Sequence, residues 1–172
     1  MNHDTDKKMM KNVPQPEQRL ADLVQKVGET LSADRCFLYI RRPNRQDGRI
    51  AFCWRKDETI PDVLQPDWQD ERPLPGEDPL YAAALAGRPS VYVDDVETAP
   101  PHVVNRDFEA KTFGHRALVH AHIFHEGELR GILQPCLFGQ PRRWTDQEKS
   151  FIESLLPGAV PIIAAWLKQQ TD

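Results

Sequence analysis

The sequence predicts an α+β domain built on an antiparallel sheet, and three observations lead there. Two pairs of short β-rich runs are joined by turn-forming residues. Apolar positions at helical spacing flank these pairs at both ends of the chain. A length of 172 residues, with 40% apolar and 28% charged side chains, suits one domain with a real core.

Residues 1–16 are polar and without periodicity, which predicts a flexible tail ahead of a single domain over 17–170. From Glu17 the positions Leu20, Leu23, Val24, Val27 and Leu31 fall on one side of a helix that Ser32-Ala33-Asp34 ends. "RCFLYIR" and "RIAFCWRK", joined by "RPNRQDG", read as a hairpin. Its basic patch, Arg41, Arg42, Arg45 and Arg49, is interrupted by Asp47 and reads as a solvated hairpin tip. The segment Asp57–Asp78 is acidic and proline-rich, holds Trp68, and reads as a lid or binding loop. "PLYAAALAG" predicts a short helix capped by Gly87, "SVYVDDV" a strand, and "PPHVVNRDFEAKTFG" a turn with a short helix. A second hairpin runs through "ALVHAHIFHEGELRGILQPCLF". The last helix opens with a capping box, Thr145 and Glu148, and Pro157 or Pro161 must kink it. The first and last helices are the natural pair to cover one face of the sheet.

Bulk composition narrows the function. A net charge of −4 argues against a nucleic-acid footprint. Cys36, Cys53 and Cys136 are odd in number, lack C-x-x-C spacing, and read as free thiols in a reducing cytoplasm. No apolar signal core is present and no window reaches the length of a bilayer span, so a soluble cytoplasmic protein without membrane contact is expected.

The second hairpin carries the most informative residues. His120, His122 and His125 read H-x-H-x-x-H, and strand alternation sets His120 and His122 on one face with His125 on the other. With a tight turn at Glu126-Gly127, His120 lies opposite Leu133 and Cys136 opposite Ala117. Ala117, Val119, Ala121, Ile123, Ile132 and Cys136 then form a small apolar face suited to packing under helices. Leu118, His120, His122, Phe124, Leu129, Gly131 and Leu133 form the other, and its imidazoles need a cavity, a ligand or water. A one-residue slip would reverse the assignment. The pair can share a metal, but no third ligand is in view, so no metal site is expected.

Catalytic signals are weaker. G-x-S-x-G, P-loop, Rossmann and H-E-x-x-H patterns are absent. Cys53 in "AFCW" reads as packing. Asp70-Glu71 and Asp94-Asp95 read as caps and solvated charges, since neighbours on a strand point apart.

Taken together, these segments resemble the GAF domain family from about Glu17 to Gln169, most closely its phytochrome and cyanobacteriochrome branch. The matching pieces are "DRCFLYIRRPNRQDGRIAFCWRK", "DDVETA", "FGHRALVHAHIFHEGELRGIL" and "PRRWTDQEKSFIESL". The resemblance implies a twisted antiparallel sheet with the terminal helices on one face, a ligand pocket on the other, and homodimers formed through those helices. It also places Leu118, His120 and His122 at pocket positions. Departures matter as much. Where bilin-binding relatives carry a chromophore cysteine and histidine, this chain has Asn105-Arg106. Where some carry Asp-x-Cys-Phe, it has Asp78-Pro79-Leu80-Tyr81, and Asp34-Arg35-Cys36-Phe37 spells the motif only at the start of the first strand. The arginine expected near "RPSVYVDDV" is not clearly matched. Covalent bilin attachment at the usual sites is thereby excluded. The Asn-Lys…Phe…Asp-Glu pattern of cyclic-nucleotide binders and the triple cysteine of free-methionine-sulfoxide reductases are also missing.

The expectation is a stand-alone, non-catalytic sensory or regulatory module. It would bind a small molecule non-covalently, a signalling partner, or both, through Leu118, His120, His122, Leu133 and Trp68. A metal-assisted enzyme using His120 and His122, a ligand-free interaction platform, and non-covalent bilin binding are the alternatives.

Overall fold

The computed structural model describes residues 14–170, so the tail expected over residues 1–16 lies mostly outside the described residues. Helix α1, Pro16–Thr30, starts with proline at its first turn and buries Leu20, Val24 and Val27. Gly28 is dictated by close packing: a Cβ there would lie 2.1 Å from the Trp54 ring. Strands β1, Arg35–Arg42, and β2, Asp47–Arg55, form the first hairpin. The acidic segment contributes the two-residue β3, Gln69–Asp70, and the helical turn α2, Leu74–Glu77. Helix α3, Pro79–Leu85, is capped by the Asp78 side chain, and β4, Val91–Val93, follows. Helix α4, Arg106–Thr112, is capped by Asn105. Strands β5, Ala117–His125, and β6, Glu128–Leu137, turn at Glu126-Gly127, both at positive φ. Helix α5, Asp146–Gln169, opens with the expected reciprocal capping box of Thr145 and Glu148.

The six strands make one antiparallel sheet in the order β3-β2-β1-β6-β5-β4. One face is covered by α1 and α5. There Leu20, Val24 and Val27 meet Leu38, Ile40, Val119, Ala121 and Ile123, while α5 adds Ile152, Leu156, Ala159, Ile163 and Trp166. The other face lies under the 57–78 segment, α3 and α4.

Helix α5 departs from expectation in one respect: by length and composition alone it is long and apolar enough to cross a membrane. It continues through both prolines. The reason is geometric. Pro157 and Pro161 are one turn apart and both exposed, so the carbonyls of Glu153 and Pro157 that lose their amide partners can be hydrated. The opposite stripe of the same helix is buried against the sheet.

Two register shifts assign residues to faces. One in β2 pairs Leu38 with Phe52 but Tyr39 with Ile50, which turns Ile50 away from the helices. The other follows the second hairpin turn, where Phe124 pairs with Leu129 but Ile123 with Gly131. Arg130 is the extra residue. Leu133 therefore sits opposite Ala121 within the helix-side core, not opposite His120. Ile132 and Cys136 move the other way, facing His122 and Leu118 respectively. The register expected from the turn alone is corrected by this bulge.

Candidate functional site

The face opposite the terminal helices holds a partly open cavity of about 120 Å³. Its walls include Phe37 and Tyr39 from β1, His120 from β5, Gln134 from β6, Asp78 ahead of α3, and Phe113 after α4. Among the described residues, no lysine or arginine lines it.

Of the residues singled out from sequence, His120 borders the cavity directly. His122 stands behind it, and both rings are 3% exposed. Leu118 is buried deeper, in a cluster with Leu80, Val93, Val104 and Cys136. Leu133 and Trp68 belong elsewhere. Leu133 packs beneath the terminal helices, and Trp68 lies against Trp166 of α5 with the Arg42 guanidinium 4.0 Å over its ring. The bulge explains the first correction. The second arises because the acidic segment folds around the sheet edge, so its aromatic anchor grips the helix side.

The histidines form an oriented relay. His122 Nδ1 lies 2.8 Å from the Arg88 carbonyl, which can only accept, so that nitrogen carries the proton. His122 Nε2 lies 2.7 Å from His120 Nδ1. Burial pushes the pKa of both rings down, His120 further because His122 adds its own charge when protonated. A neutral His122 protonated on Nδ1 has a lone pair on Nε2, so His120 donates from Nδ1. Nε2 of His120 is left as an acceptor. The Ser90 hydroxyl accepts from the His122 amide at 3.0 Å and holds the strand edge in register.

A second network reaches the cavity through Tyr81. Arg41 donates to both carboxylate oxygens of Glu71, at 2.6 to 2.9 Å. The Tyr81 hydroxyl donates to the same carboxylate at 2.5 Å. Glu71 is 3% exposed, and Arg41 and Arg42 are held in ion pairs, so neither the acid pair nor the basic patch is simply solvated as expected. Tyr39 packs edge-on against Tyr81, and burial pushes its pKa up to about 12. Burial also raises Asp78 to about 6, against the opposing pull of the Leu80 and Tyr81 amides.

Sequence reasoning missed a third cluster. Arg35, fully buried, donates to the Pro61 carbonyl at 2.7 Å and faces His115 Nε2 at 2.8 Å. Glu109 lies 2.6 Å from His115 Nδ1. Two pulls on His115 disagree. Burial lowers its pKa, while Cys136 and Glu109 outweigh that and raise it to about 9. Arg35, however, can only donate, so at 2.8 Å it requires a lone pair on Nε2 and hence a neutral ring. That contact decides the tautomer in this geometry. His115 also stacks on Phe113, which stacks on Phe37, so the cluster backs the cavity wall. The only signal in the sequence was a histidine two residues ahead of a strand.

A sheet carrying terminal helices on one face and a cavity on the other is the arrangement that the resemblance to sensory and regulatory GAF modules implied. The chain belongs to the GAF domain family, whose model matches residues 15–156. No curated protein matches it. Among solved structures it is similar to the phycocyanobilin-bound GAF domain from a cyanobacterial phytochrome, at 18% identity and a TM-score of 0.70, covering 96% of this chain and 93% of that one. GAF3 of Slr1393 from Synechocystis superposes with a TM-score of 0.68 at 22% identity, covering 91% and 100%. The GAF domain of an Acinetobacter phosphoenolpyruvate-protein phosphotransferase gives 0.66 at 12% identity, covering 91% and 87%. At these identities the likeness establishes the fold.

Proposed function

We propose that this GAF domain is a non-catalytic, cytoplasmic sensory or regulatory module that binds a small molecule non-covalently in the cavity beside His120. The observation behind this reading is the cavity itself, bordered by aromatic rings and by an imidazole whose Nε2 the relay leaves as an acceptor. Tyr39, on the same wall, has its hydroxyl buried without a partner, which is costly, and a ligand or water repays it. Two features argue against a bilin. The positions matching chromophore cysteines hold Asn105 and Leu80, and about 120 Å³ is well below the roughly 300 Å³ at which drug-sized sites begin. The relay also argues against the metal-assisted alternative, because three of the four ring nitrogens of His120 and His122 are already hydrogen-bonded.

The proposal includes a homodimer through α1 and α5. It is supported by an apolar groove of about 530 Å³ along α5, bordered by Phe124, Pro157, Val160, Pro161, Ala164 and Leu167. Native mass spectrometry of protein purified from its own host tests both parts. The expected result is a dimer with a small mass that denaturation releases, the dimer being lost in Val160→Glu/Ala164→Glu. A bare monomer that also binds no member of a fragment library would overturn the reading.

A further inference from the structure

We propose that the cavity selects a single-ring ligand that donates a hydrogen bond, neutral or cationic, and discriminates against anions and acceptor-only rings. This deepens the reading above and rests on the cavity being a ligand site.

Size sets the first half. Cavities of about 150 Å³ hold benzene, and this one measures about 120 Å³ between the rings of Phe37, Tyr39 and Phe113. Nothing larger than one small ring fits within it.

Polarity sets the second half. The Arg88 carbonyl fixes the proton on His122 Nδ1, and His122 in turn fixes the proton on His120 Nδ1. Three groups in series thus determine that His120 presents a lone pair on Nε2. Asp78 is the other one-way group on the wall, and it is mainly a carboxylate at neutral pH. Tyr39 and Gln134 can donate or accept, so they accommodate either polarity. With two obligate acceptors and, among the described residues, no lysine or arginine on the wall, an N–H or O–H on the ligand is matched and a carboxylate is repelled. A site built to pair with a donor rejects the isostere lacking it, because its buried acceptor is then left unpaired.

Phenol and fluorobenzene are close in size, and only phenol donates; benzoate adds the negative charge. Titration of the folded wild-type chain with each probe, followed by amide shifts and by the ¹⁵N shift of His120 Nε2, gives the test. The expected outcome is at least tenfold tighter binding of phenol than of fluorobenzene, a His120 Nε2 shift with phenol alone, and no binding of benzoate. His120→Phe should narrow the phenol preference to the several-fold that Asp78 supplies, and Asp78→Asn should weaken phenol several-fold while keeping the cap on α3. Equal affinity of phenol and fluorobenzene in the wild type, or a preference for benzoate, overturns donor selection and leaves the cavity as a ligand site. Failure of all three probes to bind overturns the selection and the ligand-site reading together. The wild-type comparison decides the matter even if His120→Phe does not fold.

Discussion

The two faces of this sheet are made by alternate residues of the same strands, yet they are built on different physics. Toward α1 and α5, strands β1 and β5 present Cys36, Leu38, Ile40, Val119, Ala121 and Ile123, all but sealed from water. Toward the 57–78 segment and α4 the same strands present Arg35, Tyr39, Arg41, His120 and His122, and β6 adds Gln134. The first face is stabilised by apolar area removed from water, which needs shape and no direction. The second must satisfy each buried polar group with a partner of correct polarity. It does so by importing partners from distant segments, Glu71 for Arg41 and the Arg88 carbonyl for His122. One face thus supplies stability and the other specificity, and substitutions should separate the two.

The largest separation is expected at Leu133. Leu133→Ala removes a fully buried side chain from the helix-side core and should cost about 3–5 kcal/mol in urea unfolding. Phenol affinity of the protein that remains folded should stay within about twofold, since Leu133 does not border the cavity. A large loss of probe affinity at unchanged stability would put Leu133 back beside His120 and sink the bulged register.

Next in size is Arg41→Met. It leaves the Glu71 carboxylate buried without its cation, and breaking such a pair costs about 3 kcal/mol or more. Because the damage is an unpaired charge and not a void, removing that charge as well should recover much of it. Urea unfolding of Arg41→Met beside Arg41→Met/Glu71→Gln checks this, and a double variant no more stable than the single one would count against it.

What the sequence disclosed follows the same division. The helix-side pattern was legible because apolar periodicity is local: Leu20, Val24 and Val27 announce α1, and Thr145 with Glu148 announces the start of α5. So was the placing of His120 and His122 on one cavity-facing strand, which needs only alternation. The bulge at Arg130 was not legible, because nothing local distinguishes a slipped pair from a regular one, and it moved Leu133 and Cys136 between faces. Long-range polar pairs were hidden as well. Glu71 lies 30 residues from Arg41, and Asp70-Glu71 looks like any solvated acid pair until the chain folds back. Trp68 was read as part of the pocket because its loop is, but the loop crosses the sheet edge and docks it on Trp166.

The smallest expected effect concerns pH, and it isolates the cavity face. His120 and His122 are held neutral, with pKa values below the ordinary 6.5. In the range below 6.5 the unfolded chain binds more protons than the folded one, so this pair makes the fold lose stability as pH falls. Asp78 works in the opposite sense. Its pKa rises from 3.8 to about 6, so the folded chain holds the extra proton, and stability is lost as pH climbs through about 6. Between roughly pH 4 and 6.5 the two trends offset each other. Asp78→Asn keeps the cap on Leu80 but removes the acid side of this balance. It should raise stability at pH 7.5 by about 1–2 kcal/mol, less than the full shift implies because the carboxyl keeps some water. It should also steepen the loss between pH 6.5 and 4, since the histidine pair then acts unopposed. Thermal unfolding of wild type and Asp78→Asn across that range reads both effects. Parallel pH profiles for the two proteins would mean that Asp78 is solvated, and that the only one-way acceptor on the cavity wall is His120.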